Sequence, residues 1–326
     1  MHGGISVVVT VWNDREGLAA LLDALAAQER VPDEVVVVDA GSTDGTDAML
    51  AARPEPVTVV QAPGANISAG RNEGIRAARC ERIACTDAGC TPTAGWLAAL
   101  DGALTGDVEF VAGVYRVVGE TAFERCLATA LYPSPEEIGV DDPVVKVAHK
   151  LFGRSFDVEH ATGRSMAFTR RAWELAGGFP EHLFAGEDVA FSAAAAAAVP
   201  SVLVPAAEVT WRPRPTWAAN ARMYATYSRG DVRQGSPNRH LARAAAYVGG
   251  AAMLLRGGPA VRALALAGAA AYLGLPARRA RADGLPPAEW WRLPLVVAMK
   301  DLSQVTGAVQ GLADAAAGRP QPRPGG

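Results

Sequence analysis

The run Val35-Val36-Val37-Val38-Asp39, followed by Ala40-Gly41-Ser42-Thr43-Asp44-Gly45-Thr46, limits the fold more than any other stretch of this 326-residue chain. Four β-branched residues in a row leave no polar face to turn toward water, so the segment suits a strand covered on both sides, as in a parallel sheet. Its last residue, Asp39, falls at the carboxyl end of that strand, where open α/β sheets bind their ligands. Ser42, Thr43, Asp44 and Thr46 suit the capped start of a following helix. A first strand, Ile5-Ser6-Val7-Val8-Val9-Thr10, runs in the same way into Val11-Trp12-Asn13. Two such ends side by side form a pocket suited to a nucleotide, with Asp39 open to ribose or base. The same residues also suit an ordinary strand-to-helix turn with a capping acid.

Further motifs follow in order. Asn66-Ile67-Ser68-Ala69-Gly70-Arg71-Asn72-Glu73-Gly74 opens a helix predicted to reach Arg79, and Arg82-Ile83-Ala84-Cys85-Thr86-Asp87-Ala88-Gly89 reads as a strand ending on an acid. Later come Gly163-Arg164-Ser165-Met166-Ala167-Phe168, Gly177-Gly178-Phe179-Pro180 and Gly186-Glu187-Asp188. Together with the first two strands, this series resembles the family-2 glycosyltransferases of the GT-A fold, over roughly the first two thirds of the chain. The resemblance implies a Rossmann-like, mostly parallel α/β sheet flanked by helices. It also implies an inverting transfer from a nucleotide-diphospho-sugar to a hydroxyl acceptor, either a saccharide or a lipid-linked one.

The resemblance distributes roles along the chain. Thr10, Trp12, Asn13, Asp39, Arg71 and Asp87 would line the donor site, with Asp39 on the nucleoside and Arg71 near base or phosphates. Family members hold Mg²⁺ or Mn²⁺ with an Asp-x-Asp motif, because these cations take carboxylate and phosphate oxygens. This chain reads Asp87-Ala88-Gly89 there, so Asp87 is left as the single expected metal ligand. Glu187 and Asp188 match the acid pair. Asp188 is the expected general base and Glu187 an orienting neighbour, although two acids at a helix start also suit the helix dipole. Arg164 and Ser165 match the segment on the acceptor side. Processive relatives carry Gln-x-x-Arg-Trp after the acid pair. The corresponding stretch, Asn220 to Asp231, lacks it, so a single addition is expected.

Charge divides the chain. Residues 1–209 hold 15 basic and 29 acidic side chains, whereas residues 210–300 hold 14 basic against Asp231, Asp283 and Glu289. Such asymmetry points to an anionic partner for the basic part. That part contains two charge-free runs, Ala244–Leu255 and Ala263–Ala277, each shorter than the roughly 18 residues expected of a membrane span. They are expected to pack on the protein or to lie in an anionic membrane surface with arginines at the headgroups. No nucleic-acid motif accompanies the charge. The expected division is therefore a transfer domain over 1–231, a helical basic-apolar appendage over 232–317 and a disordered tail over 318–326. The four cysteines lack paired metal-ligand spacing, and the amino terminus enters the first strand with neither charged leader nor cleavage site. Both features suit a cytoplasmic protein, peripheral on the inner membrane face. Two other readings stand beside the transferase. A sugar-1-phosphate nucleotidyltransferase shares the sheet but needs a glycine-rich basic loop where this chain has Val11-Trp12-Asn13-Asp14-Arg15. A non-catalytic binding relative would account for the missing second acid after Asp87.

Overall fold

The structure, a computed structural model, describes residues 3–318 except 144, 147, 148, 150–154, 184 and 234–237. The tail expected to be disordered lies, apart from Gly318, outside the described residues. The chain forms two compact units, Met1–Arg116 with Ser155–Arg212, and Val117–Arg154 with Pro213–Gly326.

The first unit is built on eight strands, β1 Ile5–Val11, β2 Glu34–Asp39, β3 Thr58–Gln61, β4 Arg82–Asp87, β5 Cys90–Pro92, β6 Phe110–Val117, β7 Met166–Thr169 and β8 Ser201–Trp211. They lie in one sheet in the order β3-β2-β1-β4-β7-β6-β8-β5. The pairs among β1 to β4 are parallel, while β7 runs antiparallel to β4 and β6, and β5 antiparallel to β8. Val36, Val37 and Val38 are wholly buried, as the unbroken apolar run requires. In the register, Val11 stands opposite Asp39 and Thr10 opposite Asp87, so three neighbouring parallel strands end at one level.

Helices α1 Arg15–Ala26, α2 Thr46–Ala51, α3 Ile67–Ala77 and α4 Trp96–Ala103 follow these strands in turn, and α6 Arg170–Leu175 and α7 Glu187–Ala198 belong to the same unit. Asn66 caps α3, its Oδ1 accepting from the Ala69 N–H at 2.8 Å. The helix lies close on β1 and β2. A Cβ on Gly74 would come within 2.5 Å of Val8 Cγ1, and only glycine allows that approach. Behind β4 and β7 the core is aromatic, with Phe179 stacked on Phe191 at 4.1 Å and Phe191 edge-on to Phe168 at 5.0 Å.

The second unit is helical. It holds α5 Ala122–Leu131, α8 Trp217–Arg233, α9 Asn238–Arg256, α10 Pro259–Ala282 and α11 Leu293–Ala316. A boundary at 231 therefore does not describe the molecule: α5 and α8 pack with the late helices. Tyr224 on α8 reaches Tyr132 at 3.1 Å, Arg125 on α5 pairs with Glu289, and Arg229 on α8 pairs with Asp314 on α11. The arginine surplus of residues 210–300 is partly answered inside this unit, since Arg279 bonds Glu137 and Arg278 bonds Asp142. Those acids precede it by more than a hundred residues, which conceals the pairing in a linear count of charge.

The length argument for the apolar runs is also corrected. Arg262 and Arg278 end the second charge-free run in the sequence but do not end the helix, and Pro276 lies inside it. Helix α10 spans 24 residues and, among the described residues, is the one helix long and apolar enough to cross a membrane by length and composition, with a mean hydropathy of 1.4 over its most apolar stretch. Only 11% of that stretch is buried, so the expectation of helices packed on the protein does not hold for it.

Candidate active site

The level ends of β1, β2 and β4 form the floor of the site. Asp39 is 2% exposed, and its Oδ1 accepts from the N–H groups of Gly41 at 3.1 Å and Ser42 at 2.8 Å. It thus stabilises the turn that the sequence suggested. Asn13 adopts the left-handed region with φ of 51° and accepts from the Thr43 N–H at 2.7 Å, while Ser42 Oγ accepts from the Asn13 N–H. The β1 and β2 turns are thereby tied together. Trp12 next to them is exposed, an apolar face beside the strand ends. Asp44 accepts from the N–H groups of Arg15 and Thr46, tying the start of α1 to that of α2, while Gly45 is the N-cap residue of α2.

At the centre lies Arg71, carried by α3 and 2% exposed. Its Nη2 donates to Asp87 Oδ1 at 2.7 Å and its Nη1 to Glu187 Oε1 at 2.9 Å. The end of β4 and the start of α7 therefore meet through one guanidinium. Burial works against the charge on Arg71, but Asp87 and Glu187 more than offset it and hold the group protonated. Burial, with the Asp188 carboxylate beside it, pushes Glu187 up from the ordinary carboxylate range to about 7 against the pull of Arg71. Phe179 closes the pocket, its ring 5.3 Å from the Arg71 guanidinium carbon.

Asp188 is placed differently. It is only partly buried, its Oδ2 accepts from the Gly163 N–H at 3.1 Å, and its Oδ1 accepts from the Val189 N–H at 2.9 Å. Two donated hydrogen bonds fix the carboxylate, and no described cationic side chain forms an ion pair with it. Glu187 is buried and held by Arg71. Of the two acids, Asp188 has the access that a proton acceptor needs.

On the other flank, Arg164 lies between two rings, 4.5 Å from Trp211 and 5.0 Å from Tyr115. Ser165 is 1% exposed, receives the Trp96 indole N–H at 2.9 Å and donates to the Ala207 carbonyl at 2.8 Å. Its hydroxyl ties α4 to β8 and is enclosed by protein, whereas an acceptor contact needs an accessible group.

Sequence reasoning missed Asn72 and Gly163. Asn72 is buried, accepts from Trp173 Nε1 and the Phe179 N–H, and donates to the Phe179 carbonyl. It shapes the Gly177–Pro180 turn ahead of the acid pair. An amide beside the motif arginine was the available signal. Gly163 leaves room for Arg71, since a Cβ there would fall 2.0 Å from Nη2. The thiols of Cys85 and Cys90 are buried beside the end of β4. Burial pushes both up to about 12, which keeps them protonated and unreactive.

The residues fit a hard divalent cation in part. Asp87, with 28% of its side chain exposed, offers carboxylate oxygen at the strand end. Among the described residues no three His, Cys, Asp or Glu side chains gather as a metal cage. A cation here would rest on Asp87 and on oxygens brought by the donor.

Residues 6–154 match the model of the family described as Glycosyl transferase family 2. Over 85 residues the chain is 40% identical to the succinoglycan biosynthesis protein ExoO of Rhizobium meliloti (strain 1021). That stretch is 26% of this chain and 24% of ExoO, so the match spans about a quarter of that relative's length. The fold is similar to that of the mannosyltransferase PcManGT from Pyrobaculum calidifontis, solved with GDP-Man and Mn²⁺, with a TM-score of 0.56. The likeness covers 96% of this chain and 88% of the other at 21% identity. Residues 6–154, a little under half of the chain, thus match the family-2 glycosyltransferases, and the sheet and helices share the GT-A fold.

Proposed function

We propose that the protein transfers a sugar, with inversion, from a nucleotide-diphospho-sugar to a hydroxyl of a saccharide or lipid-linked acceptor, one sugar per encounter. The observation that carries this reading is the junction of Asp87 and Glu187 through buried Arg71, with accessible Asp188 next in the chain. Asp39 takes the nucleoside, and Thr10, Trp12 and Asn13 border it. Asp87 faces the diphosphate. A bound Mg²⁺ or Mn²⁺ would neutralise the charge of the departing nucleoside diphosphate. Asp188 accepts the acceptor's proton as its oxygen attacks the anomeric carbon on the face opposite the leaving group. Glu187, held by Arg71, orients the start of α7, and Arg164 meets the acceptor. The name of ExoO favours a role in polysaccharide biosynthesis, and the ligands of the Pyrobaculum enzyme favour a nucleotide-sugar donor with a divalent cation. The reading puts the reaction in the cytoplasm at the inner membrane face, where lipid-linked acceptors are met.

Incubation with a panel of nucleotide-sugars and Mg²⁺ or Mn²⁺ tests the proposal. Nucleoside diphosphate should be released from one donor class, faster with acceptor present, and release should stop in chelator. Release of pyrophosphate from a sugar phosphate and a nucleoside triphosphate would identify a nucleotidyltransferase instead. Release from no donor would identify a binding protein. Turnover that survives chelator would assign neutralisation of the diphosphate to basic side chains.

Asp39→Ala is expected to weaken nucleoside diphosphate binding by about 10- to 150-fold, the worth of one charge-assisted hydrogen bond of roughly 1.5–3 kcal/mol. Calorimetry on a variant with unchanged circular dichroism measures it. Unchanged affinity would leave Asp39 with its turn alone.

A further inference from the structure

Helices α9 and α10 are joined through Gly257 and Gly258 into a hairpin. Its base is pinned to α11, where buried Asp301 accepts from Tyr247 of α9 at 3.0 Å and Tyr272 of α10 at 2.8 Å, with Arg243 Nε 3.0 Å away. Beyond those tyrosines the arms leave the bundle. No residue from 248 to 270 is buried, and Val248, Leu254, Leu255, Val261, Leu264 and Leu266 are between 41% and 78% exposed. A Cβ added at Gly249, Gly250 or Gly268 would meet nothing within 4 Å. An apolar projection of this size is not left to water by a soluble monomer.

Charge shows what covers it. Between Arg243 and Arg256 on one arm, and between Arg262 and Arg278 on the other, there is no charged residue. At 1.5 Å per residue these stretches measure about 20 and about 24 Å. Arg256 and Arg262, exposed at the turn, can reach outward and extend them toward the roughly 30 Å of a hydrocarbon layer, while Arg243 and Arg278 hold the base on Asp301 and Asp142. Arg239 and Arg243 mark the base with Arg278, Arg279 and Arg281, and Arg256 and Arg262 flank the turn. A helix lying flat in the interface needs one polar face. Leu264 and Leu266 stand about 200° apart on α10, and both are exposed, so apolar surface runs around the helix.

We infer that the α9–α10 hairpin inserts into a lipid bilayer, its arginines at the headgroups on either side of the apolar stretch and anionic lipid favoured by their charge. The inference is independent of the transfer reaction. In a flotation experiment the full chain should rise with vesicles containing phosphatidylglycerol and stay with them through high salt and alkaline carbonate. The variant Leu255→Gln/Leu264→Gln/Leu266→Gln alters only exposed positions, so its circular dichroism should match the parent. Its vesicle-bound fraction should fall at least about ten-fold. Arg256→Gln/Arg262→Gln should lower the preference for anionic over zwitterionic vesicles. Three results would overturn the inference: protein left in the supernatant, protein released by salt alone, or a lipid-free dimer that the leucine substitutions dissociate.

Discussion

Asp188→Asn should lower glycosyl transfer by on the order of 10²–10⁴ in rate, the usual cost of losing a general base, with donor affinity unchanged. The carboxylate accepts two backbone N–H groups, from Gly163 and Val189. An amide has one oxygen, so its NH₂ must face one of those donors, and about 1 kcal/mol of stability should be lost as well. Single-turnover kinetics together with urea denaturation separate the two effects, because a lost hydrogen bond alone does not slow the chemical step a hundred-fold. Glu187→Gln should be the milder change, its carboxylate being enclosed by Arg71. A dead Glu187→Gln beside an active Asp188→Asn would exchange their roles. Parental activity in both would show that neither acid is the general base.

Arg71→Met should be the most destabilising single substitution in the site. Removing one partner of a buried ion pair costs about 3–5 kcal/mol, because the remaining charge is left without compensation. Two features draw the loss toward the lower figure: Asp87 keeps 28% exposure, and Glu187 is able to take up a proton. The pH dependence has a definite sign. The folded-state value of Glu187, about 7, lies above its ordinary 4.5, so the native protein holds a proton that the unfolded chain has released. The stability from this group is complete below the ordinary value and is lost as pH rises through the folded one. Without Arg71 the folded-state value moves further up. The deficit of Arg71→Met should therefore hold steady below about pH 7 and widen above it, where the parent has released the proton and the variant has not, and Glu187→Gln in the same chain should flatten that trend. Thermal or urea denaturation across the range measures it, and a deficit independent of pH would show that Glu187 is not the group left uncompensated.

The residues most legible in the sequence were those whose surroundings are local. Val35 to Val38 suited a strand covered on both faces, which placed Asp39 at its carboxyl end, and the shorter run before Asp87 read as a strand ending on an acid. The capping of α3 by Asn66 and the backbone hydrogen bonds of Asp44 in the second turn followed from residue type and spacing. What escaped was set by long-range closure. Arg71 and Glu187 are 116 residues apart, and nothing near either one announces the other. Ser165 looked like a pocket hydroxyl because its motif lies beside Arg164, but its hydroxyl is taken up by Trp96 and Ala207, which lie 69 and 42 residues away in the chain. The boundary at 231 failed for a similar reason. Helix α5 looks like a piece of the α/β alternation until its partners, Glu289 and Asp283, are known. Run length understated the helix over Pro259–Ala282, because Arg262 and Arg278 interrupt hydropathy without interrupting the helix.

Gly163 has a consequence for how this site tolerates change. Its missing side chain is the space occupied by the Arg71 guanidinium, and its backbone N–H is one of the two groups that orient Asp188. A residue with no functional group of its own thus stands between the bridging cation and the accessible acid. Any replacement, however small, presses on the guanidinium and shifts the N–H that Asp188 accepts. A survey that altered only reactive side chains would pass over the one position on which the bridging cation and the accessible acid both depend.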